Sequence, residues 1–466
     1  MRLMMLGASL AQLPGILAAR AMGHEVVTCD NRPDSVGHAH GTARAHASTF
    51  DVAAVIREAQ AHAVDGIMTM GTDQPVLTAA LAAEALGLPM PLPVRTARAV
   101  TDKRVMKRQF QQAGIPTVPW TLLGGADVAD DAAGQAAGDA AGDAVGPAIN
   151  HAAGYAAGHT AGHPIPMSAL APPLVVKPVD SQGQRGVWLV PDAAVAGARL
   201  ADVLRFSRTD EILVESHYPN EEVTVSGWVT QGEPRLLSIT DRVTFAEPER
   251  LGVCLSHELP SKHLARHGKA LAALTARIVE AFEIPEGPLY FQFLIGAEGI
   301  RVNEIACRIG GAFESQFLPG ITGFDLTAAA IRDALGLPHP PSQMRALRAF
   351  DVFAPGPALS VQLFFCEPCV IGSLTPLPEV LACPGVLDAG YHLAPGQQVS
   401  ATGDATGRVG YCIVEAPDPE ALEARLHSLY NVLAVRDTQG RNRILHRPLK
   451  PPTSPHGKDT ACATTP

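Results

Sequence analysis

The stretch Gly287–Gly311, GPLYFQFLIGAEGIRVNEIACRIGG, limits the fold more than any other part of the chain. A run of alternating character, Leu289 to Ile295, and a second run, Ile300 to Ile305, flank the glycines of Gly296-Ala297-Glu298-Gly299. That is the pattern of a β-hairpin. A hairpin here brings Gln292 and Glu304 side by side on one face, with Arg308 and the pair Gly310-Gly311 just beyond. Oxygen ligands on neighbouring strands suit a hard cation such as Mg²⁺. An arginine beside them suits a phosphoryl group in transfer. Taken alone, the same residues also describe a half-buried hairpin with a surface glutamate, so the rest of the chain has to decide.

At 466 residues the chain has length for roughly three domains. A net charge of −10 argues against nucleic-acid or anionic-membrane partners, which are held by Lys and Arg. No apolar run approaches the ~18 residues of a membrane span. The first residues imitate a signal peptide, but Gln12 and Pro14 interrupt the apolar stretch, and a buried first strand reads better. Eight scattered cysteines form no disulfide framework and favour a reducing cytoplasm. Cys366 and Cys369 make one CxxC, but with no second pair to complete a zinc site they read as strand residues.

Taken in order, residues 3–6 predict a strand, followed by Gly7-Ala8-Ser9, a helix to about Met22, and a second strand from Glu25 to Cys29 ending at Asp30. This is a β-α-β unit without a full GxGxxG, so as a dinucleotide fingerprint it is weak. Gly66–Gly71 predicts a further parallel strand. Thr101-Asp102 cap a basic helix carrying Lys103, Arg104, Lys107 and Arg108, whose charges also suit a solvated face. Residues 124–170 are rich in Ala, Gly, Asp and His and predict a disordered or loosely helical insertion, in which His151, His159 and His163 read as solvated. Lys177 then ends a buried strand ahead of the loop Asp180-Ser181-Gln182-Gly183-Gln184-Arg185-Gly186. A strand-borne lysine beside such a loop can hold phosphate oxygens through backbone N–H groups and one cation. Ile212 to Tyr218 predicts a strand bearing Glu215 and Ser216, and Glu222 opens the next. Those two acids suit an adenine amino group and a ribose diol, or are surface carboxylates.

In this order and spacing the segments resemble the ATP-grasp superfamily of carboxylate–amine ligases over nearly the whole chain. The resemblance implies an α/β, three-domain architecture: a doubly wound N-terminal domain (1–98), a two-lobed ATP-grasp domain (99–345), a small β-rich C-terminal domain (346–450) and a tail (451–466). It is similar at its C-terminal end to PurK-like and biotin-carboxylase-like members. Lys103 and Lys177 match the ATP-contacting lysines. Ser181, Gly183, Arg185 and Gly186 fall in the phosphate-covering loop, Glu215, Ser216 and Tyr218 at the inter-lobe hinge, and Glu222 at the ribose. Gln292 and Glu304 match the metal positions and Arg308 the arginine on the transferring phosphate. Two departures stand out: Ala306 replaces the frequent Asn of E-x-N, leaving Asn303 to compensate, and Gln292 replaces the frequent Glu.

The resemblance implies ATP, Mg²⁺ (or Mn²⁺) and small carboxylate and amine substrates, an acylphosphate route releasing ADP and phosphate, and compatibility with a homodimer. No cysteine nucleophile, Cys307 included, is needed. His257-Glu258-Leu259-Pro260-Ser261 resembles the H-x-x-P-S segment of amino-acid ligases, which puts His257 in the substrate pocket, on a loop before a helix capped by Ser261. A purine-pathway enzyme acting on a ribonucleotide is the alternative, and a non-catalytic nucleotide sensor the alternative of another class.

Overall fold

The first strand, β1 (Arg2–Leu6), is buried on both faces, as a parallel strand covered by helices must be. It pairs in parallel with β2 (Glu25–Cys29) and β4 (Gly66–Met68), and β2 pairs with β3 (Ala43–Ala45). The helices Leu13–Ala21, Val52–Ala61 and Pro75–Leu86 complete a doubly wound domain. The computed structural model describes residues 1–124, 165–400 and 403–449. Most of the predicted insertion, with its three histidines, and the predicted tail lie outside the described residues.

β4 is shorter than the predicted Gly66–Gly71 strand. Thr69 Oγ1 donates to the Leu6 carbonyl (2.9 Å) and Gly71 adopts φ +70°, so the chain turns off the sheet and residues 71–73 line a cleft.

A small antiparallel sheet follows, ordered β5-β8-β6-β7, from β5 (Trp120–Gly124), β6 (Leu174–Pro178), β7 (Trp188–Val190) and β8 (Glu211–Ser216). The large sheet contains β9 (Glu221–Thr230), β10 (Glu233–Thr244), β11 (Cys254–Leu259), β12 (Gly287–Gly296) and β13 (Gly299–Ala306). The chain after residue 345 adds β14 (Ala358–Cys366) directly to β11, with antiparallel register His257↔Val361. β15 (Cys369–Leu374), β16 (Val386–Tyr391), β17 (Gln398–Val399) and β18 (Gly410–Ala416) follow, and β18 and β16 extend the large sheet to the order β13-β12-β9-β10-β11-β14-β18-β16. One sheet therefore runs through the boundary drawn at 345–346. Cys366 and Cys369 end β14 and begin β15.

The faces of β12 follow the period of two. Leu289, Phe291 and Phe293 pack with Leu271, Ile278 and Phe282 around the helix Leu264–Ala281. Tyr290, Gln292 and Leu294 face the cleft.

The N-terminal domain is locked to the rest at Gly66, where an added Cβ would overlap the Ala334 carbonyl of the helix Leu326–Ala334. Gly66→Ala is expected to cost about 1–3 kcal/mol, as overpacking does. Gly197→Ala, in the helix Ala193–Ala198 with nothing within 4 Å of its Cβ, is expected to be neutral or stabilising. Urea denaturation of both variants checks this pair of outcomes.

Candidate functional site

The hairpin β12–β13 places Gln292 directly opposite Glu304. The next paired residues are Phe293 and Val302, so Asn303 is an extra residue in β13, a β-bulge. Regular pleating would turn Asn303 away from Glu304; the bulge instead lets both neighbours face the cleft. Gln292 Oε1 is buried with no hydrogen-bond partner among the described residues. Three side-chain oxygens thus converge, of a hardness that fits Mg²⁺, which usually takes few protein ligands and completes its shell with phosphate and water. Among the described residues no group of three His, Cys, Asp or Glu forms a metal site.

Lys103 begins the helix Lys103–Gln112, capped by the Asp102 carboxylate. Its Nζ lies 2.7 Å from Glu304 Oε1 and donates to the Ser181 carbonyl at 2.8 Å. One turn on, Lys107 is also buried, and its Nζ reaches Glu215 Oε1 at 2.6 Å. Lys177, at the end of β6, takes the other oxygen of Glu215 at 2.7 Å and sits 3.5 Å from Asn303 Oδ1. One carboxylate is shared by two buried ammoniums. Burial disfavours the charge on Glu215, but the two lysines outweigh it and hold its pKa at about 2. For Lys107, burial outweighs Glu215 and lowers its pKa to about 8.

The loop after β6 carries positive φ at Gly183 (+69°), Gln184 (+62°) and Gly186 (+73°), a backbone that glycine allows and that turns the loop over the cleft. Ser181, Gly183 and Arg185 line the cleft; Gly186 does not, and packs instead against Phe206 and Pro178. The loop is held from two sides. Gln182 Oε1 accepts from the backbone N–H of Asp73, and the Gly183 carbonyl accepts from Ala405 N at 3.0 Å. Ser216 and Tyr218 line the opposite wall, Ser216 Oγ accepting from Ala171 N (2.9 Å) and Tyr218 donating to the Gly299 carbonyl (2.8 Å). Glu222 lies there too, with its carboxylate engaged by Arg242.

Arg308 follows β13, its Nε donating to Asp73 Oδ1 at 2.7 Å and its guanidinium lying 4.6 Å over the Tyr290 ring. Burial opposes its charge, but Asp73, Tyr290 and Glu314 together raise its pKa further. Cys307 beside it is pushed up to about 12 by burial and is no nucleophile.

His257 lines the same cleft but not on a loop: it is buried in β11, with Nδ1 3.2 Å from Thr240 Oγ1. Nor does Ser261 cap the next helix, which begins at Leu264 with His263 at its N-cap; Ser261 donates to Asp241 and accepts from His263 N. The reason is pairing on both sides, by β10 and β14, which makes a strand of a segment too polar to signal one. Burial, then Arg242 and Arg408, lower the His257 pKa to about 3. It is therefore a neutral hydrogen-bonding group near pH 7, not a ready proton acceptor.

The cleft has a volume of about 490 Å³. Sequence reasoning missed Asp73, Lys107, Tyr290, Arg242 and Arg408 in or beside it. Lys107 carried a detectable signal, since it stands four residues from Lys103 on one helix face. Among the described residues, Lys103, Lys107, Lys177 and Arg308 form ion pairs with Glu215, Glu304 and Asp73 alone, four cations to three carboxylates.

Glu215→Gln leaves two buried ammoniums without a counterion and is expected to cost about 3–5 kcal/mol. The folded pKa of Glu215 is depressed, so its contribution is complete above the ordinary value of 4.5 and fades as pH falls towards 2. Chemical denaturation from pH 7 downward should show that acid loss in the wild type and a smaller one in the variant.

Two family models match the chain: the ATP-grasp N-terminal domain over residues 16–90 and the L-amino acid ligase C-terminal domain 2 over residues 362–436. Dapdiamide A synthase of Enterobacter agglomerans is 23% identical over 271 residues, covering 56% of this chain and 62% of the synthase. The chain thus spans about three fifths of that relative's length. The crystal structure of an L-amino acid ligase from Bacillus licheniformis superposes with a TM-score of 0.72 at 19% identity, covering 94% of this chain and 98% of the other. A biotin carboxylase domain dimer of Hydrogenobacter thermophilus 2-oxoglutarate carboxylase, solved with MgADP, superposes with a TM-score of 0.68 at 15% identity, covering 93% and 90%. The chain thus shares its fold with these enzymes over almost its whole length, and it matches an ATP-grasp N-terminal domain and an L-amino acid ligase C-terminal domain towards its two ends.

Proposed function

We propose that the protein is an ATP-dependent carboxylate–amine ligase that forms an amide bond through an acylphosphate, with an amino acid or similarly small carboxylate as donor, releasing ADP and phosphate. The observation that carries this reading is the convergence of Lys103, Lys177, Arg308, Gln292 and Glu304 in one cleft with an excess of buried positive charge. A polyphosphate is the ligand whose charge that arrangement complements. The relatives named as an L-amino acid ligase and a dapdiamide synthase support an amide-forming reaction.

In the first step a donor carboxylate oxygen bonds to the γ-phosphorus as the bond to the β–γ bridging oxygen breaks, and ADP leaves. In the second the amine nitrogen bonds to the acyl carbon, phosphate departs with the former carboxylate oxygen, and the nitrogen loses a proton. Lys103, Lys177 and the backbone of residues 181–186 neutralise and position the phosphates. Arg308 faces the transferring group, held there by Asp73 and Tyr290. His257 orients a substrate by hydrogen bonding. Bound Mg²⁺ would supply further neutralisation of phosphate charge, held by Gln292, Glu304 and Asn303. Asn303 takes the place that the frequent Asn two positions beyond Glu304 would have filled.

Turnover is expected to release ADP and phosphate in equal amounts, read by coupled assays for ADP, phosphate and AMP against a panel of amino acids and amines. Stoichiometric AMP would contradict the mechanism. Arg308→Ala and Glu304→Ala are each expected to lower kcat by about 10²–10³. Asn303→Ala should raise the Mg²⁺ concentration needed for half-maximal rate more than it lowers the rate at saturation; an unchanged Mg²⁺ dependence would remove Asn303 from the metal site.

A further inference from the structure

The segment Gly71–Gln74 of the N-terminal domain lies between the phosphate-covering loop and the segment that carries Arg308. On the Arg308 side, Gly71 N donates to the Ile309 carbonyl at 3.0 Å, and Asp73 Oδ1 accepts from Arg308 Nε at 2.7 Å. Gly311 comes so close that an added Cβ would stand 3.0 Å from the Gly71 carbonyl. On the loop side, Gln182 Oε1 accepts from two backbone N–H groups, those of Asp73 and of Gln74 (3.3 Å). Two donors converging on one side-chain atom require an acceptor there, and the amide oxygen of glutamine supplies it.

The same domain also holds the start of the loop. Asp180 accepts from Ser207 Oγ (2.6 Å) and Arg208 N (3.1 Å) and pairs with Arg208 Nε (3.1 Å). The guanidinium of Arg208 in turn lies 4.1 Å over the ring of Phe50. A contact that only steadied the loop could fall anywhere along the rim. The Gln182 contact falls instead on Asp73, which among the described residues is the carboxylate that pairs with Arg308.

In the ligation reading, on which this inference rests, residues 181–186 cover the nucleotide phosphates and Arg308 faces the transferring group. We propose that Gln182 is a positioning residue for phosphoryl transfer: by holding the backbone of Asp73 it fixes the carboxylate that aims Arg308. Closing the loop over ATP and aiming the arginine are then one event. An ATP that the loop has not covered meets an arginine out of position, which withholds its phosphoryl group from water.

The test measures the single-turnover rate of ADP formation in the full chain, with ATP, Mg²⁺ and a donor and acceptor found by screening the wild type. Gln182→Met keeps the side-chain length and removes the acceptor. It is expected to slow the rate at saturating ATP about 10-fold, while the ATP concentration for half-maximal rate changes less than about 2-fold. Gln182→Glu, which restores an acceptor oxygen, should recover part of that rate. Asp73→Asn should be slower still, and adding Gln182→Met to it should slow it no further, because both act through one carboxylate. If Asp73→Asn is too slow to measure, the split between rate and ATP dependence in Gln182→Met, and its reversal in Gln182→Glu, decide. Independently of turnover, Gln182→Met with a non-hydrolysable ATP analogue should exchange amide hydrogens faster than wild type in residues 71–74 and 308–311. A wild type that forms no ADP with any substrate pair overturns the ligation reading and this assignment with it. A wild-type rate in Gln182→Met, a loss carried by ATP affinity alone, losses that multiply in the double variant, or unchanged exchange in residues 308–311 overturns the assignment alone.

Discussion

Glu215 sits between two buried ammoniums, and the cleft depends on that sharing. Burying Lys107 and Lys177 without it would cost several kcal/mol for each ion. With only one carboxylate for two cations, burial and then the neighbouring Lys177 lower the pKa of Lys107 despite Glu215. The same logic holds around it. Glu304 balances Lys103, and Asp73 balances Arg308. The protein stabilises its cations enough to fold while leaving the cleft with more buried cations than carboxylates to pair them.

Each part of the chain contributes one wall. The N-terminal domain supplies Asp73, which orients Arg308 from the far side of the sequence. The two-lobed middle supplies the lysines, the glycine loop and the oxygens of β12 and β13. The C-terminal part adds Arg408 and the Ala405 contact on Gly183. Because β14 joins β11 within one sheet, that last part is placed by backbone pairing and not by a flexible linker. The glycine loop, tied at Gln182 to residue 73 and at Gly183 to residue 405, is the element through which all three parts meet.

Much of this was legible in the sequence because it is written in short periods. The alternation of Leu289–Ile295 and Ile300–Ile305 marks the hairpin and places Gln292 opposite Glu304, and Asp102 marks the start of the lysine-bearing helix. What was not legible depends on long-range pairing. The bulge that turns Asn303 into the cleft is a one-residue shift that leaves no mark in composition. β11 is too polar to read as a strand, so His257 looked like a loop residue until β10 and β14 enclosed it. The Asp73–Arg308 pair spans 235 residues, and nothing local announces it. Arg408 lies in a turn-rich region where an arginine is ordinarily a solvated one.

The central claim is that this cationic cleft transfers the γ-phosphoryl group of ATP to a carboxylate oxygen before the amide bond forms. The most direct measurement follows that oxygen. A donor carboxylate labelled with ¹⁸O, turned over with unlabelled ATP and an accepted amine, should deliver one labelled oxygen to each inorganic phosphate released, read by mass spectrometry. Phosphate that carries no label above background, or label that appears in AMP, would contradict the account.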